Sequence, residues 1–144
     1  MLTYCLDTDI CVRLIRNRPR IGGILEERIN AHANALATST IVMMELLHGA
    51  SMSANPKREH RFVEQLLART SVLEFDGSAA EHAADIKADL QRKGRLIGSN
   101  DILIAGHARS RGLIVVTGNL REFERVEGLR CEDWPAGPSV KATT

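Results

Sequence analysis

Residues 113–117 read LIVVT and form the clearest candidate for a buried strand in this chain. A short, continuous run of branched apolar residues is typical of a strand covered on both faces, as in a parallel sheet. Outward from this run, further short apolar segments at 3–6, 35–38 and 71–75 alternate with helical patterns. The helical patterns cover 9–15, 24–30, 41–49, a segment that opens at Asn55-Pro56, 78–93 and 99–111. This alternation predicts an α/β fold, with a parallel β-sheet flanked by α-helices on both faces.

Polar residues stand where several of the predicted helices begin. Ser78-x-x-Glu81 has the spacing of a capping box, which predicts the start of the long 78–93 helix. The other candidate N-caps are Thr38, Ser39 and Thr40 before the 41–49 helix, and Ser99 or Asn100 before the last helix. We therefore expect these side chains to fix the first turns.

The composition predicts one domain with a sizeable core. The chain has 144 residues, of which 44% are hydrophobic and 26% are charged. We predict a domain over residues 1–134. Residues 135–144 are rich in Pro, Gly, Ser and Thr, and we expect them to form a flexible C-terminal tail.

The net charge of +1 excludes the strongly basic surface of a typical DNA-binding protein. Fifteen of the 19 basic residues are arginines, whose guanidinium group matches phosphate and carboxylate geometry. Five aromatic residues are too few for a base-stacking platform. Three cysteines without C-x-x-C spacing fit a reducing compartment, and no signal peptide or membrane span is visible. We expect a soluble, cytoplasmic protein that does not bind a membrane.

Three acids stand in apolar surroundings. Asp7 follows the first predicted strand, at the end where open parallel sheets bind ligands. Glu45 interrupts an apolar helix and has no Lys or Arg one turn away, so it needs a partner from elsewhere. Asp101 lies in the first turn of another apolar helix. Each has a simpler explanation: a helix cap for Asp7, an exposed helix face for Glu45, and the helix dipole for Asp101.

Taken together, the three acids predict a metal site. Carboxylates that converge in an α/β fold favour a hard divalent cation, Mg²⁺ or Mn²⁺, with retained waters. Such a cation can activate water for in-line attack on a phosphate. No Gly-x-Ser-x-Gly elbow and no glycine-rich phosphate loop occur in the sequence, which excludes the serine-hydrolase and nucleoside-triphosphatase classes.

An arginine-rich stretch follows Asp7. It contains four arginines and no acid between positions 10 and 20, namely Arg13, Arg16, Arg18 and Arg20. These side chains are candidates for contacts with RNA phosphates, and the alternative is an ordinary solvated face.

Five segments together resemble the PIN-domain toxins of the VapC type. They are LDTDI at 6–10, STIVMMELLHG at 39–49, IGSNDILIA at 97–105, VTGNLREF at 116–123 and GLRCEDW at 128–134. The resemblance spans residues 1 to about 134, and the order and spacing of the segments agree along the whole chain. It implies a PIN-like fold, and a toxin that is a Mg²⁺- or Mn²⁺-dependent endoribonuclease cleaving structured RNA such as tRNA. It also implies a VapB-type antitoxin as partner, a homodimer and a hetero-oligomeric toxin–antitoxin complex.

The resemblance further implies roles for individual residues. Asp7 and Asp101 would bind the metal directly, and Glu45 would bind it or orient the attacking water. The fourth acidic position of the family falls at 117–122, where this chain carries the uncharged Asn119; a second metal would then depend on Glu122. The hydroxyls expected around the ligands are those of Thr8, Ser99 and Thr117. Asp9 stands where many relatives carry Asn, and it would add negative charge near the site.

Two other functions remain open from the sequence. Asp7-Thr8-Asp9 after a strand imitates the nucleophile motif of a haloacid-dehalogenase-type phosphatase, but the threonine motif at 113–117 comes too late in the chain for that family. The other is a non-catalytic PIN-like module that binds RNA or protein, with Asn119 marking a damaged site.

Overall fold

The structure is a computed structural model, and it describes residues 1–16 and 23–135. The strands are β1 (Tyr4–Leu6), β2 (Leu36–Ser39), β3 (Ser71–Leu73), β4 (Ile114–Val116) and β5 (Cys131–Glu132). The helices are α1 (Thr8–Arg16), α2 (Ile24–Ala31), α3 (Thr40–Ser51), α4 (Pro56–Leu67), α5 (Gly77–Arg92), α6 (Ser99–Ser110) and α7 (Leu120–Phe123). The predicted alternation of strands and helices is confirmed.

The strands form one sheet in the order β3-β2-β1-β4-β5, and every neighbouring pair is parallel. In the register, Leu6 lies opposite Val116, and Ser39 lies opposite Leu73. All residues of β2 and β4 are buried. Since successive side chains point to opposite faces, helices must cover both faces of these central strands.

The helices pack in two groups. In one group α1, α3 and α4 contact one another, and in the other α5 packs along α6. The second contact is close, because a Cβ on Gly106 would lie 2.6 Å from the backbone nitrogen of Ala83. Only glycine at position 106 allows the two helix backbones to approach this far.

Two predicted helix starts need correction, and a third is confirmed. Asp76, and not Ser78, caps α5, since its side chain accepts the backbone N–H of Ala79 at 3.0 Å. Gly98, and not Ser99 or Asn100, is the N-cap of α6. Of the candidates before α3, Ser39 is the cap and accepts from the Ile41 N–H. Several residues before each helix were equally good cap candidates in the sequence, and only the structure shows which one occupies the cap position.

Two short elements were not predicted, the four-residue α7 and the two-residue β5. Neither is long enough to show a hydrophobic period. After β5 the chain brings Trp134 into the core, where it is fully buried with its ring 4.8 Å from that of Tyr4. The prediction that the domain ends at 134 stays a prediction, because 136–144 lie outside the described residues.

Within residues 1–16 and 23–135, no helix has the length and hydropathy of a membrane span. Arg18 and Arg20, two of the predicted phosphate-binding arginines, lie outside these residues.

Candidate active site

The three singled-out acids meet at the carboxyl edge of the sheet. Asp7 directly follows β1, and its backbone N–H donates to the carbonyl of Val116 at the end of β4. The helices α3 and α6 bring Glu45 and Asp101 to the same edge, where a cleft of about 560 Å³ opens. The cleft is lined by Asp7, Thr8, Asp9, Val12, Arg13, Arg16, Glu45, Asp101 and Asn119. The prediction that these acids converge is therefore confirmed by the tertiary structure.

Asp7 is the most buried acid of the cleft, with 5% of its surface exposed. Its Oδ1 accepts the backbone N–H of Thr8 at 2.8 Å, and its Oδ2 accepts the hydroxyl of Thr117 at 2.7 Å. Burial raises the pKa of Asp7 to about 7, and the charges of Asp9 and Asp101 add to the rise, against these two hydrogen bonds. A carboxylate in this setting gains from a cation that neutralises it.

Glu45 is half-buried on α3 and is held by neutral groups. The Thr8 hydroxyl donates to its Oε1, and the Asn100 side-chain amide donates to its Oε2 at 3.0 Å. The expected partner from elsewhere is present, but it is a pair of hydrogen-bond donors and carries no positive charge. Both partners of Glu45 are therefore neutral groups, and neither of these two contacts is an ion pair: one comes from a hydroxyl and one from a side-chain amide.

Asp101 stands in the first turn of α6, partly exposed. Burial raises its pKa to about 6, followed by the charges of Glu122, Glu45 and Asp9. Like charges are thus held together at this edge, which costs folding free energy unless a cation compensates it.

The other predicted residues divide into those the structure brings to the cleft and those it does not. Thr8 and Thr117 bind the acids directly, and Asn119 lines the cleft. Glu122 acts on Asp101 through its charge. Ser99 is exposed and lines a separate apolar groove between α5 and α6, so the expected hydroxyl contact of Ser99 with the acids is not found.

Sequence reasoning missed two contributors. Asn100 binds Glu45, although its place before Asp101 suggested only a helix cap. Gly118 donates its backbone N–H to Oδ2 of Asp9 at 2.9 Å. Hydrophobic periodicity does not predict contacts between segments that are distant along the chain. The available signal was that Asn100 and Gly118 both lie in segments that resemble the family.

Two of the four arginines lie at the cleft. Arg16 is exposed there. Arg13 is partly engaged, since its Nη1 donates to Oδ1 of Asp133 at 3.4 Å and its Nη2 lies 3.9 Å from Oδ2 of Asp9. Phosphate binding by Arg13 would have to compete with these carboxylates.

The oxygen-only donor set fits a hard divalent cation. Within the described residues, no three Asp, Glu, His or Cys side chains are already grouped as a metal-binding cluster. A cation that retains waters can bridge carboxylates that do not touch, as Mg²⁺ commonly does. Two further observations support the fit: the raised pKa values of Asp7 and Asp101, and the buried Oδ1 of Asp9, which has no hydrogen-bond partner there.

Parallel sheet, flanking helices and acidic cleft together define the class of protein. The family model of the PIN domain matches residues 4–129. The chain therefore belongs to the PIN-domain family, whose ribonucleases generally depend on a divalent metal.

Relatives place the chain more narrowly within that family, next to the VapC ribonucleases. The tRNA(fMet)-specific endonuclease VapC of Shigella flexneri is 48% identical over 134 residues, which are 93% of this chain and 99% of the relative. Ribonuclease VapC2 of Haemophilus influenzae is 46% identical over 136 residues, 93% of this chain and 99% of the relative.

Solved structures agree with these relatives. A chain of the DNA-bound VapBC crystal structure from Salmonella typhimurium superposes with a TM-score of 0.89 and 47% identity. The match covers 94% of this chain and 100% of that one. A chain of VapBC2 from Rickettsia felis, bound to a promoter DNA fragment, gives a TM-score of 0.86 at 31% identity, covering 93% and 100%. The resemblance to VapC-type PIN-domain toxins is confirmed.

Proposed function

We propose that this chain is the toxin of a toxin–antitoxin pair and a divalent-metal-dependent endoribonuclease. The observation that carries the proposal is the convergence of Asp7, Glu45 and Asp101 in one cleft. Asp7 and Glu45 are 38 positions apart along the chain, and Glu45 and Asp101 are 56 positions apart, so only folding brings the three acids together. Ribonuclease names among the relatives support the same reaction.

Asp7 and Asp101 would hold Mg²⁺ or Mn²⁺ through their carboxylate oxygens. The bound ion supplies positive charge that stabilises the phosphate during in-line attack by water. Thr117 and the Thr8 backbone fix the Asp7 carboxylate in one orientation by their two hydrogen bonds. Fixed ligands lose little conformational freedom when the site is loaded, which favours binding.

Glu45 orients the attacking water and accepts its proton. Each of its oxygens already accepts one hydrogen bond, from Thr8 or from Asn100, which fixes the plane of the carboxylate. Each oxygen retains a further lone pair for a water. A general base must lie within hydrogen-bond reach of the water that it deprotonates, and Glu45 lines the cleft where that water would bind.

The substrate is a structured RNA, and the named relatives favour a tRNA. Arg16 at the cleft offers a phosphate contact, and Arg13 offers a second if its carboxylate partners yield. Single-stranded loops expose the base edges that allow sequence to be read, which suits a tRNA loop. The family match favours this reaction over a phosphatase of the haloacid-dehalogenase type.

The same family supports a VapB-type antitoxin as the partner. Structures of similar chains are VapBC complexes, two of them with DNA. We extend to this chain the expectation of a homodimer that assembles with the antitoxin into a hetero-oligomer.

Cleavage of RNA by the purified full chain, freed of antitoxin, tests the proposal. A tRNA pool is incubated with the protein and Mg²⁺ or Mn²⁺, and the new RNA ends are sequenced. We expect discrete cuts that EDTA abolishes, and we expect Asp7→Asn to lose at least about a hundredfold in rate because a direct ligand is gone.

Asp89→Asn is the matched control, since it makes the same change on α5, far from the cleft, where Lys93 keeps a second partner in Glu127. It should cleave like the wild type. Undiminished cleavage in EDTA, or by Asp7→Asn, contradicts the metal-dependent mechanism, and no cleavage by the wild type supports the non-catalytic RNA- or protein-binding alternative.

A further inference from the structure

One carboxylate oxygen of Asp9 is anchored by hydrogen bonding, and the other has no hydrogen-bond partner among the described residues, although the side chain as a whole is 42% exposed. Oδ2 accepts the backbone N–H of Gly118 at 2.9 Å and lies 3.9 Å from Nη2 of Arg13. Oδ1 is buried and has no hydrogen-bond partner in the described chain. A buried carboxylate oxygen without a donor is costly, which indicates that a further group satisfies it in the working protein.

Gly118 allows this anchoring by its lack of a side chain. A Cβ at this position would lie 2.0 Å from Nη2 of Arg13 and 2.7 Å from Oδ2 of Asp9. Any other residue would push both groups away from the turn after β4. The position of the Asp9 carboxylate therefore depends on a glycine 109 residues further along the chain.

Arg13 ties the same group to a third segment. Besides its contact with Asp9, its Nη1 donates to Oδ1 of Asp133 at 3.4 Å and to the carbonyl of Trp134 at 3.5 Å. Trp134 is fully buried, so this end of the chain is a fixed support. Three segments, α1, the turn after β4 and the residues after β5, thus hold Asp9 in one orientation.

Asn119 and Asp9 both line the cleft, but the Asn119 amide carries no charge, whereas Asp9 ends in a carboxyl group. Asp9 is also close enough that its charge contributes to the raised pKa values of both Asp7 and Asp101. Oxygen ligands with negative charge are what a hard divalent cation prefers.

We propose that Asp9, anchored by Gly118 and Arg13, is the fourth acidic ligand of the divalent-cation site and supplies the charge that Asn119 lacks. Its unpartnered Oδ1 is the ligating atom. This inference rests on the proposed function, since it concerns the same ion. It makes Arg13 a positioning residue, in addition to any contact with RNA.

Mn²⁺ binding to the metal-free full chain tests this role without reference to RNA cleavage. Isothermal titration gives the Kd for the wild type, Asp9→Asn, Asn119→Asp and the double variant. We expect Asp9→Asn to bind Mn²⁺ about tenfold more weakly, the size of change seen when a group supporting a metal site is lost. Adding Asn119→Asp should restore the Kd to within about threefold of the wild type, because the charge returns to the cleft.

Asp89→Asn is the matched control, since it makes the same change on α5, where the carboxylate pairs with Lys93 and contacts neither Arg13 nor the cleft. We expect its Kd to stay within about twofold of the wild-type value. Thermal melting of each variant checks that it folds. If Asp9→Asn did not fold, the Kd of Asn119→Asp alone still tests the proposal. A Kd within about threefold of the wild-type value supports Asp9 as the existing fourth acid, and a Kd more than about tenfold lower contradicts it.

Failure of this inference can be told from failure of the proposed function. If the wild type cleaves RNA and binds Mn²⁺ while Asp9→Asn binds it equally well, Asp9 is not a ligand and the ribonuclease proposal stands. If Asp9→Asn binds more weakly but Asn119→Asp does not rescue it, Asp9 does not replace the charge at position 119. A wild type that binds no Mn²⁺ overturns both.

Discussion

The acidic cleft and the α5–α6 region treat charge in opposite ways. The α5–α6 region consists of these two helices and residues 124–128. In it, Arg109 donates hydrogen bonds to Asp85 at 2.7 Å, to His82 Nδ1 at 3.0 Å and to the carbonyl of Glu127 at 2.9 Å. In the cleft, four carboxyl groups line one surface, and Arg13 lies 3.9 Å from one of them, that of Asp9.

The pKa directions express this difference. The hydrogen bond and charge of Arg109 lower the pKa of Asp85, whereas burial and neighbouring acids raise those of Asp7 and Asp101. One region is arranged so that the charges support the fold. The other region holds like charges close together, which lowers the free energy of unfolding. This is typical of a binding site whose ligand offsets the repulsion.

The largest expected change in stability comes from crowding the α5–α6 contact. Gly106→Ala places a Cβ 2.6 Å from backbone atoms of Ala83, which cannot yield like the end of a side chain. We expect a loss of about 3 kcal/mol in the free energy of unfolding, measured by urea denaturation.

Gly49→Ala is the control for that substitution. Gly49 is also helical, but nothing lies within 4 Å of an added Cβ. The higher helix propensity of alanine should raise stability by up to about 1 kcal/mol. Equal losses at the two positions would show that the close helix contact is unimportant.

The second effect concerns the paired charges of the α5–α6 region. Arg109→Ala removes the donor to the Glu127 carbonyl and the ion pair with Asp85, and the Arg109 side chain is only 17% exposed. We expect a loss of about 2 kcal/mol in the same measurement. Lys93→Ala removes a more exposed ion pair and should change stability much less. A larger loss of unfolding free energy for Lys93→Ala than for Arg109→Ala would contradict the view that burial of an ion pair determines its contribution to stability.

The third effect is a smaller gain in stability, expected when the charge of Asp7 is removed. The folded-state pKa of Asp7 is about 7, above its ordinary value of 3.8, so the folded protein binds this proton more tightly than the unfolded chain. The resulting stabilisation is complete below about pH 4 and is lost as the pH rises towards 7. Asp7→Asn should therefore stabilise the metal-free protein by about 1 kcal/mol at pH 8, with the difference vanishing near pH 4.

Mn²⁺ should reverse the order of the two proteins at pH 8. A ligand that binds only the folded state raises its stability, and the substituted chain has lost a ligand. Melting temperatures with and without Mn²⁺ at both pH values measure this. A metal-free Asp7→Asn protein that is less stable than the wild type at pH 8 would show that Asp7 supports the fold and is not strained in it.

Much of the fold was readable from the sequence because its elements have strong periods. The LIVVT run, the apolar segment before Asp7 and the helices around Glu45 and Asp101 all appear within a few residues of their predicted bounds. The cap of α5 was misassigned because Asp76 and Ser78 are both good N-cap residues, and the sequence does not show that the helix already begins at Gly77. The short α7 and β5 carried no period at all.

The candidate site was only half readable. Acids in apolar surroundings are visible in a sequence, because burial of a charge without a partner is unfavourable. The sequence could not show that Asn100 binds Glu45 or that Gly118 anchors Asp9, since these contacts join residues 55 and 109 positions apart. Nor could it show that Ser99 faces another groove.

Hydrophobic periods and local residue order are properties of the chain, and they were enough to predict the parallel α/β class, the three acids, the uncharged Asn119 and the family. The groups that hold those acids, the arginines that line the cleft and the unpartnered oxygen of Asp9 became visible only in the folded protein. Sheet order explains this division: β1 lies between β2 and β4. The carboxyl ends of these strands, distant in sequence, therefore meet at one edge, where charge and hydrogen bonding depend on distance in space.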